Sequence, residues 1–232
     1  MLWMQTLLQR WLPDPYDEIV GMLREGASFA FSRFGDGEFN AIFGVEGVNR
    51  DGHQYFPEMG RRLREIVERE PDYLMGLQPM AIFTHGARQT MWMSSSTPDD
   101  GMRRWVLADS LHDASLDNRL DGFLDSLEGK DVLLVGPQHL RGFSESKGWR
   151  YQPVPGHDCW TAYEETLERL KSSTPGSGGV VLLCASMMSN VLLDDLFTLN
   201  PANTYIDTGS LFDPYAGVIS RPYHEELDLE GH

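Results

Sequence analysis

The stretch VVLLCASMMSNVLLDDLFTLNPANTYIDTG, residues 180–209, decides the fold. Residues 180–186 form a continuous apolar run of strand length, and TYIDTG at 204–209 has the pattern of a second strand. A strand, a helix and a strand in this order, with strands that are apolar throughout, predict a parallel sheet that is covered on both faces. The helix between the strands is indicated by four apolar residues at helical spacing: Val191, Leu192, Leu196 and Phe197.

The same alternation continues outward from this stretch. DVLLVG at 131–136 and WRYQPVP at 149–155 predict two further strands, and a helix capped by Asp158 leads into a flexible surface connection at 172–179. SFAFSR at 28–33 predicts a short buried strand. Other predicted helices cover 14–26, 57–69, 98–108 and 116–127, and 73–96 permits no assignment. We therefore predict an α/β, Rossmann-like fold with a mainly parallel sheet and helices on both faces, in a single compact domain over 1–232.

The charge of the chain argues against a surface that holds polyanions. The 232 residues carry 19 Lys and Arg against 35 Asp and Glu, a net charge of −16. Such a surface offers no long-range attraction for DNA, RNA or anionic lipid. Binding of nucleic acid is disfavoured but stays open because of local basic clusters at Arg61, Arg62 and Arg64 and at Arg103 and Arg104.

The cysteines and the two ends of the chain complete the outline. Cys159 and Cys184 are too few for a disulfide scaffold, which favours a reducing, cytoplasmic setting. Residues 1–13 predict an N-terminal amphipathic helix packed on the core or on a second subunit, with interfacial membrane contact as the alternative. No apolar run approaches the roughly 20 residues that span a bilayer. Residues 226–232 predict an acidic, solvated tail, and the oligomeric state stays open.

The segment Arg33-Phe34-Gly35-Asp36-Gly37-Glu38 concentrates the chemistry. It lies between a predicted strand and a short helix, where glycines permit close approach of a ligand and helix N–H groups face an anion. Asp36 and Glu38 offer hard oxygen ligands to Mn²⁺ or Mg²⁺, and Arg33 can bind a phosphate with two hydrogen bonds. The alternative is structural: Asp36 caps the helix, Glu38 favours its first turn, and Arg33 pairs with either carboxylate.

The string SFAFSRFGDGEF at 28–39 resembles the signature of the GT-D-type glycosyltransferases, a family first catalogued as a domain of unknown function. In that family an Asp-X-Glu motif after Arg-x-Gly binds the nucleotide-sugar and its manganese. The resemblance implies that Asp36 and Glu38 bind the metal and that the donor, a UDP-sugar, contacts Arg33, Gly35 and Gly37. Looser likeness continues at 133–140, 154–160, 180–196 and 205–217.

One departure from the family pattern follows the strand at 180–185. The family leads us to expect a turn that contains glycine, and the chain has Ala185-Ser186-Met187-Met188 instead. The loop still lies where ligands bind in this architecture, so Ser186 is predicted to contact the nucleotide-sugar. His139, after the strand at 131–136, is predicted to contact phosphate or base, against the alternative of an ordinary loop histidine.

An inverting transfer also needs a base for the acceptor hydroxyl. The C-terminal segment supplies Asp213, His224 and Glu226 as candidates. Each has a structural alternative, since Asp213 precedes Pro214 and can simply begin a turn, and Glu226 belongs to the acidic tail. The remaining histidines lack the spacing of a zinc site, and motifs of α/β-hydrolases, Walker NTPases and NAD enzymes are missing from the sequence.

The sequence thus predicts a metal-dependent glycosyltransferase that moves a sugar from a nucleoside diphosphate to a hydroxyl acceptor. A glycan or glycoprotein is the favoured acceptor. The first alternative is a phage DNA glycosyltransferase acting on hydroxymethylpyrimidine bases, which a small, free-standing enzyme would suit. The others are a metal-dependent phosphoesterase, which would hydrolyse a nucleotide-sugar without an acceptor, and a non-catalytic nucleotide-sugar binder.

Overall fold

The computed structural model describes residues 12–69, 71–79, 81 and 105–227. Seven strands form one sheet in the order β3-β2-β1-β7-β6-β4-β5, and every neighbouring pair is parallel. This confirms the predicted parallel α/β sheet. The strands are β1 (Ala30–Phe34), β2 (Leu74–Leu77), β3 (Trp105–Leu107), β4 (Val132–Gly136), β5 (Arg150–Pro153), β6 (Val180–Leu183) and β7 (Thr204–Asp207).

Helices cover both faces of the sheet, because alternate apolar side chains of the central strands point to opposite sides. Leu133 and Val181 belong to one core, and Leu134 and Val180 to the other. The first core is covered by α2 (Asp36–Ile42), α3 (Pro57–Arg69), α7 (Tyr163–Ser173) and α8 (Met188–Leu199). The second core is covered by α1 (Tyr16–Glu25), α4 (Ser110–Leu116), α5 (Leu120–Ser126) and α6 (Arg141–Ser146).

The order of the strands places a crevice at the centre of the sheet. From β1 the chain passes to β2 and β3 on one side, then crosses to β4 and returns to β7 on the other side of β1. The chain after β1 places Phe39 in the first core, and the chain after β7 places Leu211 and Phe212 in the second, so the two loops run to opposite sides of the sheet. Open α/β sheets bind ligands between loops that diverge in this way. The loop after β1 leads into α2. Helix α3 packs closely on α2 because it has Gly60 at the contact: a Cβ there would lie 2.1 Å from the Ala41 carbonyl oxygen of α2.

Most predicted elements are confirmed, with shifted ends. The strand predicted at 28–33 is β1, and the helix at 57–69 is α3. The helix predicted at 116–127 is confirmed over Leu120–Ser126 as α5; it begins later than predicted because the chain breaks at Asn118, which has φ of 55°, after α4 has ended at Leu116. The helix predicted at 98–108 is wrong over 105–107, which is strand β3. The unassigned segment 73–96 contains β2.

The role predicted for Asp158 is not seen, and the two predicted terminal segments lie mostly outside the described residues. The Asp158 side chain does not cap a helix; it accepts hydrogen bonds from the backbone and side-chain N–H groups of Gln54. The predicted N-terminal helix lies outside the described residues except for Leu12, which is buried. Of the predicted tail only Glu226 and Leu227 are described, and Glu226 is exposed. In the described part of the chain no helix combines the length and apolar character needed to cross a bilayer.

Candidate active site

The motif after β1 forms the first wall of the site. Gly35 precedes α2, and its backbone N–H donates to Glu38 Oε2 at 2.8 Å, so one carboxylate oxygen closes the first turn of the helix. Asp36 is exposed, and its Oδ1 accepts the N–H of Gly37 at 2.9 Å. Of the structural alternatives, the one for Glu38, which closes the first turn of α2, is seen, whereas Asp36 is the first residue of the helix and not its cap.

A third carboxylate, that of Asp207 at the end of β7, lies near this motif. Burial raises the pKa of Glu38 to about 7, and the nearby charge of Asp207 adds to the effect. Burial also raises the pKa of Asp207 to about 6, against the opposing influence of Arg33. Two partly desolvated carboxylates beside each other are stabilised by any cation that enters between them.

Arg33 is fixed beside these carboxylates, but it pairs with neither Asp36 nor Glu38. Its Nε donates to the Ala108 carbonyl oxygen at 2.7 Å, and its Nη2 donates to Asp109 Oδ1 at 2.9 Å. The backbone N–H of Arg33 also reaches Asp207 Oδ2 at 3.4 Å. The guanidinium is therefore held by the loop after β3, a contact between distant residues that no local sequence pattern predicts.

Gly209, after β7, leaves the space into which the Arg33 guanidinium extends. A Cβ on Gly209 would lie 2.3 Å from Arg33 Nη1, and the residue has φ of +52°. Both the close approach and the left-handed backbone require glycine. This glycine thus determines where the third nitrogen of Arg33 points.

Asn190, in the first turn of α8, supports the end of β1 from below. Its Nδ2 donates to the Arg33 carbonyl oxygen at 2.6 Å and to Ser32 Oγ at 3.1 Å. The side chain is fully buried. Nothing in the sequence identified this residue, because its role depends on a contact between positions 157 residues apart.

Ser186 occupies the turn after β6 where the family pattern predicted glycine. Its φ is +51°, the left-handed conformation that glycine adopts without strain. The Ser186 hydroxyl accepts a hydrogen bond from Asn49 Nδ2 at 2.9 Å, and the next residue, Met187, packs on the motif with its Sδ 3.5 Å from a Cβ position on Gly37. The turn keeps the expected backbone and lies against the motif.

His139 and Asp213, predicted for different roles, contact each other. His139 Nε2 lies 2.8 Å from Asp213 Oδ1, and the Ser220 hydroxyl donates to Asp213 Oδ2. Asp213 is buried, whereas the His139 side chain is 32% exposed, so the histidine is the member that a substrate can reach. The predicted phosphate contact and the predicted base therefore form one unit.

The other two predicted bases differ in environment. His224 is buried, and its Nδ1 accepts the backbone N–H of Ser220 at 3.3 Å. Burial lowers the pKa of His224. Glu226, two residues later, is exposed at the end of the 3₁₀ turn Pro222–Glu226. Of the two, only His224 lies within the packed part of the C-terminal segment.

Residues 44–56, here called the strap, cross this edge of the sheet. Asp51 pairs with Arg221 through both carboxylate oxygens, at 2.5 and 2.7 Å. Asn49 holds Ser186, and Tyr55 accepts a hydrogen bond from Asn40 Nδ2 at 2.9 Å. The strap thereby connects the motif helix, the turn after β6 and the C-terminal segment.

No protein-family model and no curated protein sequence matches the chain, but solved structures do. One, described as a selenomethionine-substituted domain of unknown function 1792 (DUF1792), has a TM-score of 0.63 at 17% identity and covers 90% of this chain and 83% of that one. The chain has the DUF1792 fold. A second DUF1792 structure, described as having a distinct glycosyltransferase fold, gives a TM-score of 0.61 at 17% identity over 89% of this chain and 82% of that one.

A third solved structure is described as a new glycosyltransferase (DUF1792) from Streptococcus sanguinis. Its TM-score is 0.62 at 20% identity, over 86% of this chain and 81% of that one. The resemblance predicted from the motif is confirmed at the level of the DUF1792 fold. Identities this low establish the fold and leave the chemistry to be argued from the residues.

The donor set on the DUF1792 scaffold fits a divalent ion that arrives with its ligand. No group of three or more His, Cys, Asp or Glu residues is arranged to hold a metal in the described ranges. Mn²⁺ and Mg²⁺ in phosphate-transfer sites are commonly held by one or two carboxylates, with the remaining ligands from the diphosphate and water. Asp36 and Glu38 are the two carboxylates of the motif that could hold such an ion, and burial raises the pKa of Glu38 to about 7.

Proposed function

We propose that the protein is a glycosyltransferase that moves a sugar from a nucleoside diphosphate, a UDP-sugar, to a hydroxyl acceptor with the help of Mn²⁺ or Mg²⁺. The observation that carries this proposal is the arrangement at the switch point between β1 and β7. There a rigid guanidinium, Arg33, lies beside the desolvated carboxylates of Glu38 and Asp207. The DUF1792 fold supports it, since one of the similar structures is described as a glycosyltransferase and another as having a distinct glycosyltransferase fold.

The chain's own residues would bind and orient the donor diphosphate. Arg33 is anchored through Nε and Nη2, so its Nη1 is presented at Gly209 without loss of side-chain entropy on binding. Asp36 and Glu38 would hold the divalent ion, which supplies electrostatic stabilisation of the leaving diphosphate. Gly35 and Gly37 keep the backbone of the motif accessible to the donor.

The geometry favours His139 as the base, with Asp213 holding its ring. Asp213 accepts a hydrogen bond from Nε2–H of His139, which fixes the ring and leaves Nδ1 as a proton acceptor. An acceptor hydroxyl can reach the half-exposed histidine, whereas Asp213 is buried behind it. We therefore assign proton removal to His139 with Asp213 as the residue that orients it, and this replaces Asp213 as the group that contacts the acceptor.

A neutral acceptor, a glycan or glycoprotein, fits the described surface better than DNA. Arg61 pairs with Glu65 at 2.6 Å, and Arg62 pairs with Asp195 at 2.8 Å. Arg64 donates to the Ile42 carbonyl oxygen at 2.7 Å. The first basic cluster is thus engaged within the protein, while Arg103 and Arg104 lie outside the described residues. Both cysteines are buried free thiols, in keeping with the reducing cytoplasm, where nucleotide-sugars are available.

The proposal is tested by measuring the mass of the reaction products. The protein is incubated with UDP-glucose, UDP-galactose or UDP-N-acetylglucosamine, Mn²⁺ and either simple glycans or hydroxymethylpyrimidine DNA, and the products are weighed by mass spectrometry. We expect a glycan to gain one sugar, and Glu38→Gln to abolish the gain. Glu58→Gln, an exposed residue on α3, serves as the matched control with activity retained.

Two results would contradict the proposal. Donor hydrolysis at the same rate with and without acceptor would indicate a phosphoesterase. Donor binding without turnover under any condition would indicate a nucleotide-sugar binder. A mass gain on DNA would keep the transferase and replace its acceptor.

A further inference from the structure

Two buried histidines in the described structure carry ring nitrogens without a hydrogen-bond partner. His112, in α4, is 4% exposed, and both of its ring nitrogens lack a partner among the described residues. His224, in the 3₁₀ turn near the C-terminus, is 2% exposed, and its Nε2 lacks one as well. Buried polar atoms are hydrogen-bonded in the great majority of cases, so three unpartnered nitrogens in one place call for a ligand that supplies the bonds.

Both histidines line the same hollow. The space among the side chains of His112, Ser115, Leu211, Tyr223, His224 and Leu227 amounts to about 160 Å³ when the solvent at its open side is counted with it. The Tyr223 ring meets both imidazoles edge to face, at 5.8 Å from His112 and 4.7 Å from His224. The Ser115 hydroxyl is engaged with Tyr215 at 2.7 Å, so the imidazole nitrogens are the unpartnered polar atoms of this hollow.

The hollow lies next to the guanidinium of Arg33. The Cβ position of Gly209 lies 2.3 Å from Arg33 Nη1 and 4.0 Å from His112 Cε1. The Arg33 guanidinium and the His112 ring therefore lie close together on either side of Gly209. A group attached to a phosphate at Arg33 would reach the hollow directly.

The protonation of the histidines selects the chemistry of the ligand. Burial and the positive charges of Arg33 and Arg221 lower the pKa of His112 well below its usual range, so the ring is neutral. A neutral imidazole has one N–H donor and one acceptor nitrogen. Phosphates and carboxylates only accept hydrogen bonds, whereas a hydroxyl group both donates and accepts and so can satisfy either ring nitrogen.

We propose that the hollow between His112 and His224 receives a hydroxyl-bearing edge of the transferred sugar, next to the diphosphate at Arg33. This rests on the proposed function, since it assigns the sugar subsite of the same donor. It also gives His224 a binding role in place of the predicted role as base. The imidazoles would then determine which sugar the enzyme accepts.

The first test uses His112→Phe, which keeps the aromatic ring against Tyr223 and removes both nitrogens. Affinities for UDP and for UDP-glucose, UDP-galactose and UDP-N-acetylglucosamine are measured by calorimetry with Mn²⁺. We expect affinity for the sugar nucleotide that wild type prefers to fall about tenfold, with UDP affinity unchanged. The melting temperature of the ligand-free variant should stay level or rise, because unpartnered buried nitrogens are removed.

A second variant covers the case in which His112→Phe fails to fold. His224→Asn keeps an acceptor near Nδ1 for the Ser220 N–H and removes Nε2, and it should lower sugar-nucleotide affinity in the same selective way. His157→Phe, an exposed histidine on another loop, is the control and should change neither affinity.

The outcomes separate this inference from the proposed function. Equal losses of UDP and UDP-sugar affinity would place the ribose in the hollow and overturn the sugar assignment. Unchanged affinities, or a lower melting temperature that indicates a structural water on His112, would also overturn it. A wild-type protein that binds neither UDP nor any UDP-sugar would instead refute the proposed function.

Discussion

Glu38 carries its negative charge in surroundings that disfavour it. The carboxylate closes the first turn of α2 through Gly35, and burial raises its pKa to about 7. Gln in its place still accepts that hydrogen bond but brings no charge to a divalent ion. Asn in place of Asp36, an exposed residue, likewise keeps the shape of the side chain and removes its charge.

At this residue scale we predict that metal binding depends on both carboxylates and on the nucleotide. Calorimetry should show weak Mn²⁺ binding to the protein alone and tighter binding with UDP present. Glu38→Gln and Asp36→Asn should each reduce the second affinity by about tenfold or more with the melting temperature retained. Mn²⁺ affinity at the wild-type level in both variants would remove the pair from the metal site.

Arg33→Lys tests the guanidinium. Lysine keeps the charge but cannot bond Ala108 and Asp109 together while presenting a third nitrogen at Gly209. We expect KM for the donor to rise about tenfold, with a circular dichroism spectrum like that of wild type. A donor KM that does not move would show that Arg33 serves the fold alone.

At the scale of elements, the loop after β7 positions Arg33. Gly209 and Gly217 both have positive φ, but a Cβ on Gly209 meets Arg33, whereas nothing lies within 4 Å of one on Gly217. Gly217→Ala should therefore cost only about 1 kcal/mol of backbone strain. Gly209→Ala should in addition displace Arg33 and raise the donor KM, measured side by side in the two variants. Equal kinetics in both would separate the loop from donor binding.

Helix α4 gives a prediction on pH. Burial and the neighbouring charges of Asp109, Asp14 and Asp117 raise the pKa of Asp113 to about 6. The folded protein therefore holds this proton more tightly than the unfolded chain, so the contribution of Asp113 to stability falls as pH rises from about 4 to about 6.

Asp113→Asn removes that penalty. Its melting temperature should exceed that of wild type at pH 8 and match it near pH 4, while Asp125→Asn, on the exposed side of α5, should track wild type throughout. A constant difference at every pH would mean that the substitution acts by packing and not by charge.

At the scale of the whole molecule, the net charge of −16 bears on the acceptor. A protein with this charge repels a polyanion except at a local basic strip, so any modification of DNA should fall steeply as salt rises. Transfer to a neutral glycan should stay nearly constant between 50 and about 300 mM NaCl, measured as initial rates. An initial rate of transfer to a neutral glycan that changed steeply with salt would contradict this prediction, because it would show that long-range charge contributes to recognition of the acceptor.

Local sequence patterns predict the strands and the motif loop, but they do not predict the contacts between residues that are distant in the chain. The apolar runs of β4 and β6 identified the parallel sheet, and the Arg-x-Gly and Asp-X-Glu pattern located the loop at its central crevice. The contact of Arg33 with Asp109 spans 76 residues, and that of His139 with Asp213 spans 74, so no local pattern encodes them. Strand β3 was missed because three residues give too little periodicity to oppose a helical pattern.

The neighbouring positions of β1 and β7 have a consequence for how the chain is made. The crevice is bounded by a strand that ends at Phe34 and one that ends at Asp207, so the middle of the sheet stays open until the residues of β7 have been synthesised, about 170 residues after those of β1. Until then β1 and β6 each present an unpaired edge, which is the surface that aggregating chains share. The arrangement that creates the binding crevice thus leaves two strand edges of the nascent chain unpaired until β7 is available.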